Sequence, residues 1–249
     1  MWVICLLGLV QGLCEFLPVS SSGHLVLLSN LFGLPDSLFV SIVLHAATML
    51  AIIVVFRKDL ARMLRHPFSN ECMNVYLATI PTCVIVLLLM PLVEKSFGGG
   101  ALALCFALSG ILLFAAEKRT GVCQSTFSPK HAIVMGIAQG LAVFPGLSRS
   151  GATICAGLMS GAKRTDAARF SFIMSLPVVA LSMLLEIVRL VRGEQVISVS
   201  IAGLILGSVI AFIVGIASIK LMMKLTERLS FKYFVAYLLV MAVVTLILI

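Results

Sequence analysis

The sequence predicts an all-α polytopic membrane protein, with six spanning helices plus two re-entrant helical hairpins arranged as an inverted repeat. Three observations predict it. The 249 residues are 61% hydrophobic and only 11% charged, where soluble domains run near about 25% charged; the mean hydropathy is +1.19. Apolar stretches of about 20 residues, enough to cross a bilayer core of about 30 Å, recur along the chain. Finally, the chain repeats itself. Moved by 128 positions, GLVQGLCEFLPVSSSG at 8–23 lands without a gap on GIAQGLAVFPGLSRSG at 136–151, with eight positions identical.

Taken in order, the first region, 1–34, is apolar but broken near its middle by PVSSSG at 18–23. Proline and glycine stop a helix, and clustered hydroxyls leave lipid-facing backbone poorly satisfied, so the region reads as two half-length helices around a loop. It lacks a basic start and a small-residue cleavage site, so a removed signal peptide is not expected. Three uninterrupted segments follow, at 38–56, 71–93 and 98–116. The pattern then recurs. Region 131–162 is broken by PGLSRSG at 145–151, and segments 170–188, 197–219 and 232–249 follow it. The reading is one membrane domain, 1–249, built from repeats 1–119 and 131–249.

Charge orients the chain, and it begins with the loop from Arg57 to Arg65, which carries four basic residues. If the six segments alternate, 14 of the 18 Lys and Arg residues share one side: Arg57, Lys58, Arg62, Arg65, Lys118, Arg119, Lys130, Lys163, Arg164, Arg169, Lys220, Lys224, Arg228 and Lys232. That side is expected to be cytoplasmic, which accounts for the net charge of +8 without a nucleic-acid partner. The first hairpin then enters from outside and the second from the cytoplasm. Interrupted helices of inverted repeats characteristically meet near the midplane to form one site. The seven cysteines form no CxxC pair, and the four histidines show no metal-ligand spacing.

The chemistry concentrates in the two interruptions. Gln11 and Glu15 are four apart and share a helix face just before the first break. A lone glutamate in apolar sequence calls for a partner, and Arg149 is the only basic residue within either hairpin. Such a pair could merely lock the repeats together, but further polar groups arrive with it. Ser20, Ser21, Ser22 and His24 supply hydroxyls and an imidazole, and a serine needs an adjacent base to attack near neutral pH. Ser22 or Ser21 also suits capping of the next helix. Ser148, Arg149, Ser150 and Thr153 resemble an anion cradle at a helix start, with an arginine fork matched to phosphate oxygens. The site therefore reads as one that binds a phosphate at the membrane and can hydrolyse it. His45 and Glu186, polar outliers in apolar segments, could line the cavity, but a packed or snorkelling role is favoured for both.

QGLCEFLPVSSSGH at 11–24 and PGLSRSGAT at 145–153 resemble the undecaprenyl-diphosphate phosphatases, the bacitracin-resistance family, over essentially the whole chain. The resemblance implies removal of the terminal phosphate of undecaprenyl diphosphate, giving the monophosphate carrier used in peptidoglycan synthesis in the bacterial cytoplasmic membrane. It implies a site open to the outer side and a functional set of Glu15, Ser21, His24, Ser148, Arg149 and Thr153, with Gln11 upstream. It also implies a divalent cation, Mg²⁺ or Ca²⁺, held by oxygens such as those of Glu15 and Gln11. Many members carry glutamate where this chain has Gln11, which lowers the expected affinity for the ion. The nucleophile stays open between Ser21, His24 and water.

Two other readings compete. Lipid phosphatases of the acid-phosphatase type need a histidine shortly after their Ser-Arg element, and SGATICAGLM after Arg149 contains none. A secondary transporter or flippase of a lipid phosphate would use the same inverted-repeat site, but would not need a nucleophile beside a base. Glycines at 98–100, 203 and 207 are consistent with close helix contacts at a homodimer interface.

Overall fold

Local sequence explains where the helices begin and stop. A computed structural model describes every residue except 35, 36, 97–99, 119–125, 194–198, 229 and 249. The expectations for Gly98, Gly99 and Arg119, and for the segment ends at 98, 197 and 249, lie outside the described residues. The described residues form helices and connecting turns: α1 (Trp2–Cys14), α2 (Ser21–Leu31), α3 (Ser37–Val55), α4 (Arg57–Arg65), α5 (Asn70–Ser96), α6 (Leu102–Glu117), α7 (Pro129–Leu141), α8 (Arg149–Met159), α9 (Arg164–Val191), α10 (Ile201–Arg228) and α11 (Lys232–Leu248).

Both predicted interruptions are present. The 13-residue α1 stops at Cys14, and α2 starts at Ser21 with Ser20 as its cap. The 13-residue α7 and α8 flank residues 142–148 in the same manner, with Ser148 as cap. At 1.5 Å per residue a 13-residue helix reaches about 20 Å, too short to cross the bilayer core alone.

A helix occupies each predicted spanning segment, but their lengths differ. Residues 70–93, 164–191 and 201–226 form three helices long and apolar enough to cross a membrane, or four if α3 and α4 count as one span bent by 80°. α6 and α11, at 16 and 17 residues, fall short of that length. Exposed leucines and valines on α5, α10 and α11, such as Leu87, Leu88, Val209 and Val240, give these helices apolar outer faces. With no buried partner, such faces suit lipid, and the chain is a multi-pass membrane protein.

The stretch after the first long helix corrects the sequence reading. Residues 57–65, taken there as a charged loop, form α4. RKDLARMLR contains no helix breaker, and Leu60 and Met63 pack against the core while the charged residues point outward. Asp59 binds Arg62 at 3.1 Å and Arg169 of α9 at 2.8 Å, which ties α4 to the second half of the chain.

The packing between the two halves is reciprocal. α1 lies against α10 and α7 against α5, while α3 meets α9 and α6 meets α11. Glycines make the first two contacts close. A Cβ on Gly8 would collide with the backbone of Gly207, and one on Gly136 with the backbone of Ala78. One turn on, Gly12 faces the Ala211 carbonyl and Gly140 that of Thr82. The residues faced, 78 and 207 or 82 and 211, are themselves 129 apart, so equivalent glycines meet equivalent positions on the opposite half. Gly203 and Gly207, suggested above for a dimer contact, instead receive Met1 and Ile4 of the same chain.

Candidate active site

The breaks between α1 and α2 and between α7 and α8 lie against each other. The Ser20 hydroxyl donates to the Leu147 carbonyl at 3.3 Å, and the Ser150 hydroxyl donates to the Leu17 carbonyl at 3.0 Å. Gly23 permits the approach of Gly146, and Gly151 that of Pro18, again equivalent positions exchanged between loops. Ser148 caps α8 by accepting from the Gly151 N–H at 3.0 Å, and its own N–H is held by Ser109 of α6 at 2.9 Å. These bonds satisfy backbone groups that a broken helix leaves unpaired in an apolar surrounding.

Glu15 sits at the centre of this contact, with its side chain only 3% exposed. Its Oε1 pairs with the Arg149 guanidinium. Its Oε2 accepts from the Ser21 hydroxyl at 2.5 Å and from Gln11 Nε2 at 3.0 Å, and faces His45 Nε2 at 3.2 Å. Burying an unpaired carboxylate is costly, and here every remaining acceptor position has a polar partner. His45 is oriented from behind, because its Nδ1 donates to the Ser41 carbonyl at 2.7 Å.

A cavity of about 380 Å³ opens onto this cluster. Its polar end is formed by Glu15, Ser20, Ser21, Ser22, His45, Ser148, Arg149 and Ser150. Apolar side chains of α5 and α9, among them Val86, Met90, Val179 and Leu185, line its flank. Glu186 and Arg189 stand further along α9 on the same wall. A wider hollow bounded by residues 27–34 and Leu248 carries no titratable group and lies apart from the chemistry.

Most of the residues predicted from sequence converge here, but three do not line the cavity. Gln11 is fully buried behind Glu15. Thr153 is turned into α9, where its hydroxyl lies 2.6 Å from that of Ser171. His24 points away from Ser21 and Glu15. Its Nδ1 donates to the Ser20 carbonyl at 2.7 Å, and its Nε2 lies 2.6 Å from the Tyr237 hydroxyl of α11. Conversely, His45 and Glu186, for which the sequence favours packing or snorkelling over lining the site, both line the cavity, and His45 touches Glu15. The signal that could have found it was in view, since a polar group within an apolar helix marks function as often as packing.

The donors offer a poor cage for a divalent cation. Among the described residues no three His, Cys, Asp or Glu side chains converge. Both oxygens of Glu15 are engaged, one of them by a guanidinium. The Gln11 Oε1 lacks a hydrogen-bond partner but is buried away from the cavity. A hard cation prefers about six oxygen ligands, which this set supplies only if most come from substrate and water.

Comparison with known proteins agrees with the motifs. The chain is 37% identical to an undecaprenyl-diphosphatase of Desulfosudis oleivorans, covering 96% of this chain and 95% of the relative. It is 34% identical to one of Carboxydothermus hydrogenoformans over 98% and 95% of the two chains. It is 36% identical to one of Methanosphaera stadtmanae over 98% and 96%. The profile of the family described as bacitracin resistance protein BacA matches residues 4–244, and the chain belongs to that family.

Proposed function

We propose that this protein is an integral-membrane phosphatase that converts undecaprenyl diphosphate to undecaprenyl phosphate and inorganic phosphate. It would thereby recycle the lipid carrier of cell-wall synthesis and confer bacitracin resistance. The observation that carries the reading is the 2.5 Å hydrogen bond from Ser21 to Glu15, in a cavity that also holds Arg149. Nucleophile, base and anion-binding group then stand together beside an apolar wall suited to a prenyl tail. Each buried CH₂ of the tail contributes about 0.8 kcal/mol, which gives strong binding but weak discrimination of chain length.

In the proposed reaction the terminal phosphate takes the Arg149 guanidinium, the α8 amides and the hydroxyls of Ser148 and Ser150. Recruitment of Arg149 by the phosphate loosens its hold on Glu15 and makes that carboxylate a better base. Ser21 Oγ attacks the terminal phosphorus in line and its proton passes to Glu15 Oε2. The bond from phosphorus to the bridging oxygen breaks, and the polyprenyl monophosphate leaves. Glu15 passes its proton to the departing monophosphate. Water then attacks the phosphoserine, Glu15 takes that water's proton and returns it to Ser21 Oγ as the phosphorus–Oγ bond breaks, and phosphate leaves. His45 keeps Glu15 oriented throughout, and Arg149 stabilises charge on the equatorial oxygens. Mg²⁺ or Ca²⁺ would accompany the diphosphate as a counter-ion and supply charge neutralisation, with Glu15 as the protein oxygen beside the phosphate and Gln11 buried behind it.

The reciprocal packing of equivalent glycines supports an inverted repeat, with α1–α2 and α7–α8 as re-entrant hairpins and α3, α5, α6, α9, α10 and α11 as the spans. The excess of Lys and Arg on one side supports an orientation in the bacterial cytoplasmic membrane with the cavity opening outward. A flippase would share the anion cradle, but the serine–carboxylate pair has no task in transport. The test is phosphate release from farnesyl diphosphate by the purified protein in detergent, with Mg²⁺ or Ca²⁺ present. Release that depends on Ser21 supports hydrolysis. No release, with Glu15-dependent lipid translocation in vesicles, would establish transport instead.

A further inference from the structure

His24 stands next to the cluster but takes no part in it, and the backbone beside it is strained. Ser20 is the one described non-glycine residue with positive φ, at 67° with ψ 87°. A cap residue ordinarily has extended backbone, and a side chain at positive φ is disfavoured unless the surroundings over-determine it. Its counterpart in the second half, Ser148, caps α8 with φ −76° and ψ 107°, within the ordinary range.

What differs between the two caps is the residue four positions on. In the first half this is His24, whose Nδ1 donates to the Ser20 carbonyl at 2.7 Å. In the second half it is Ala152, which offers only its backbone N–H, at 2.7 Å from the Ser148 carbonyl, and no side-chain donor. The imidazole is itself fixed. Its ring stacks on Tyr237 at 5.7 Å and takes the edge of Phe106 at 5.3 Å, and Nε2 accepts from the Tyr237 hydroxyl at 2.6 Å. Both nitrogens are therefore occupied on the side of the loop away from the cavity, where no reacting oxygen can reach them. Ser20 in turn directly precedes Ser21, whose hydroxyl donates to Glu15.

We infer that His24 and Tyr237 form a clamp that holds Ser20 in its left-handed conformation and so seats Ser21 on Glu15. They are positioning residues for the proposed phosphoryl transfer, not proton carriers. The inference rests on the phosphatase reading above. The second half needs no clamp, because at the position equivalent to Ser21 it carries Arg149, a long side chain that finds its partner without a strained backbone.

The test is phosphate release from farnesyl diphosphate by the purified full-length protein, measured against pH. His24→Ala should lower kcat about 100-fold with KM within about threefold, as expected for a displaced nucleophile. Tyr237→Phe, which removes only the hydroxyl, should lower kcat about fivefold. His24→Asn places an amide N–H near Nδ1 but cannot titrate; it should recover about tenfold of the His24→Ala loss and keep the wild-type pH profile. Ser20→Gly, which accepts positive φ without strain, should raise the activity of His24→Ala, again by about tenfold. In His24→Ala the amides of residues 20–24 should also exchange hydrogen faster than in wild type.

The inference is overturned if His24→Asn is as inactive as His24→Ala and loses one limb of the pH profile. It is equally overturned if Ser20→Gly gives no rescue while amide exchange at residues 20–24 is unchanged. Failure of the unsubstituted protein to release phosphate would instead refute the phosphatase reading, and the clamp's catalytic role with it.

Discussion

The loops at 15–24 and 143–152 carry similar sequences but different chemical groups. Both keep the scaffold residues: Gly8, Gly12 and Gly23 match Gly136, Gly140 and Gly151, and Ser20 and Ser148 cap the following helix in both. The chemical groups have separated. Glu15, Ser21 and His24 in the first loop face Val143, Arg149 and Ala152 at the equivalent positions of the second. Close packing needs small residues on both sides of each crossing, so neither copy can change them. The centre of the contact needs only one carboxylate and one guanidinium, so each half could keep one and lose the other.

The comparison can be broken first at that centre. Arg149→Ala should lower kcat/KM at least about 10³-fold, because it removes the main support for charge on the transferring phosphate. It should also destabilise the fold by about 3–5 kcal/mol, since Glu15 is left buried without its counter-charge. Glu15→Gln should cost comparable activity but less stability, because a neutral amide tolerates burial better. Thermal unfolding in detergent together with phosphate release checks both halves of this expectation.

A smaller effect is expected at His45. His45→Asn should lower kcat about tenfold while leaving KM nearly unchanged, because the imidazole orients Glu15 and need not hold substrate. An unchanged kcat would return His45 to the packing role assigned from sequence.

The scaffold half of the comparison is tested by Gly8→Ala and Gly136→Ala. Each added methyl meets backbone across an equivalent crossing. Each should destabilise by about 1–3 kcal/mol, the usual range for overpacking, and by similar amounts. Sharply unequal shifts in unfolding temperature would show that the crossings are no longer equivalent in energy.

The smallest change concerns the cation. Gln11→Glu sets a second carboxylate beside Glu15, where the native contact is 3.0 Å. Like charges at that distance should lower the unfolding temperature without a divalent cation, and added Mg²⁺ or Ca²⁺ should restore it. Absence of the cation-dependent recovery would remove Glu15 and Gln11 as candidate metal oxygens.

Much of this was legible in the chain itself. The repeat and the two interruptions identified both hairpin regions, and the rarity of charge in apolar sequence paired Glu15 with Arg149 before any geometry was known. What could not be read was rotation about helix axes. His24 lies in the same motif as Ser21, yet its direction is set by Tyr237, 213 residues away. His45 stood out as a polar group in an apolar segment, but periodicity there gives no face, so its partner Glu15 could not be read. Thr153 matches the anion motif but is drawn off by Ser171 of α9. Residues 57–65 looked like a loop because charge dominates them, although they contain nothing that stops a helix.

The central claim is that the two halves act on one phosphate as a unit, and the most direct measurement is a double-mutant cycle between Ser21 and Arg149. The kcat/KM for phosphate release would be compared in wild type, Ser21→Ala, Arg149→Lys and the double variant. Arg149→Lys, which keeps the charge but loses the fork, should cost about 30-fold in wild type and no more than about threefold once Ser21 is absent. If the two losses simply multiply, or if Ser21→Ala turns over at the normal rate, the halves work independently and the composite site is wrong.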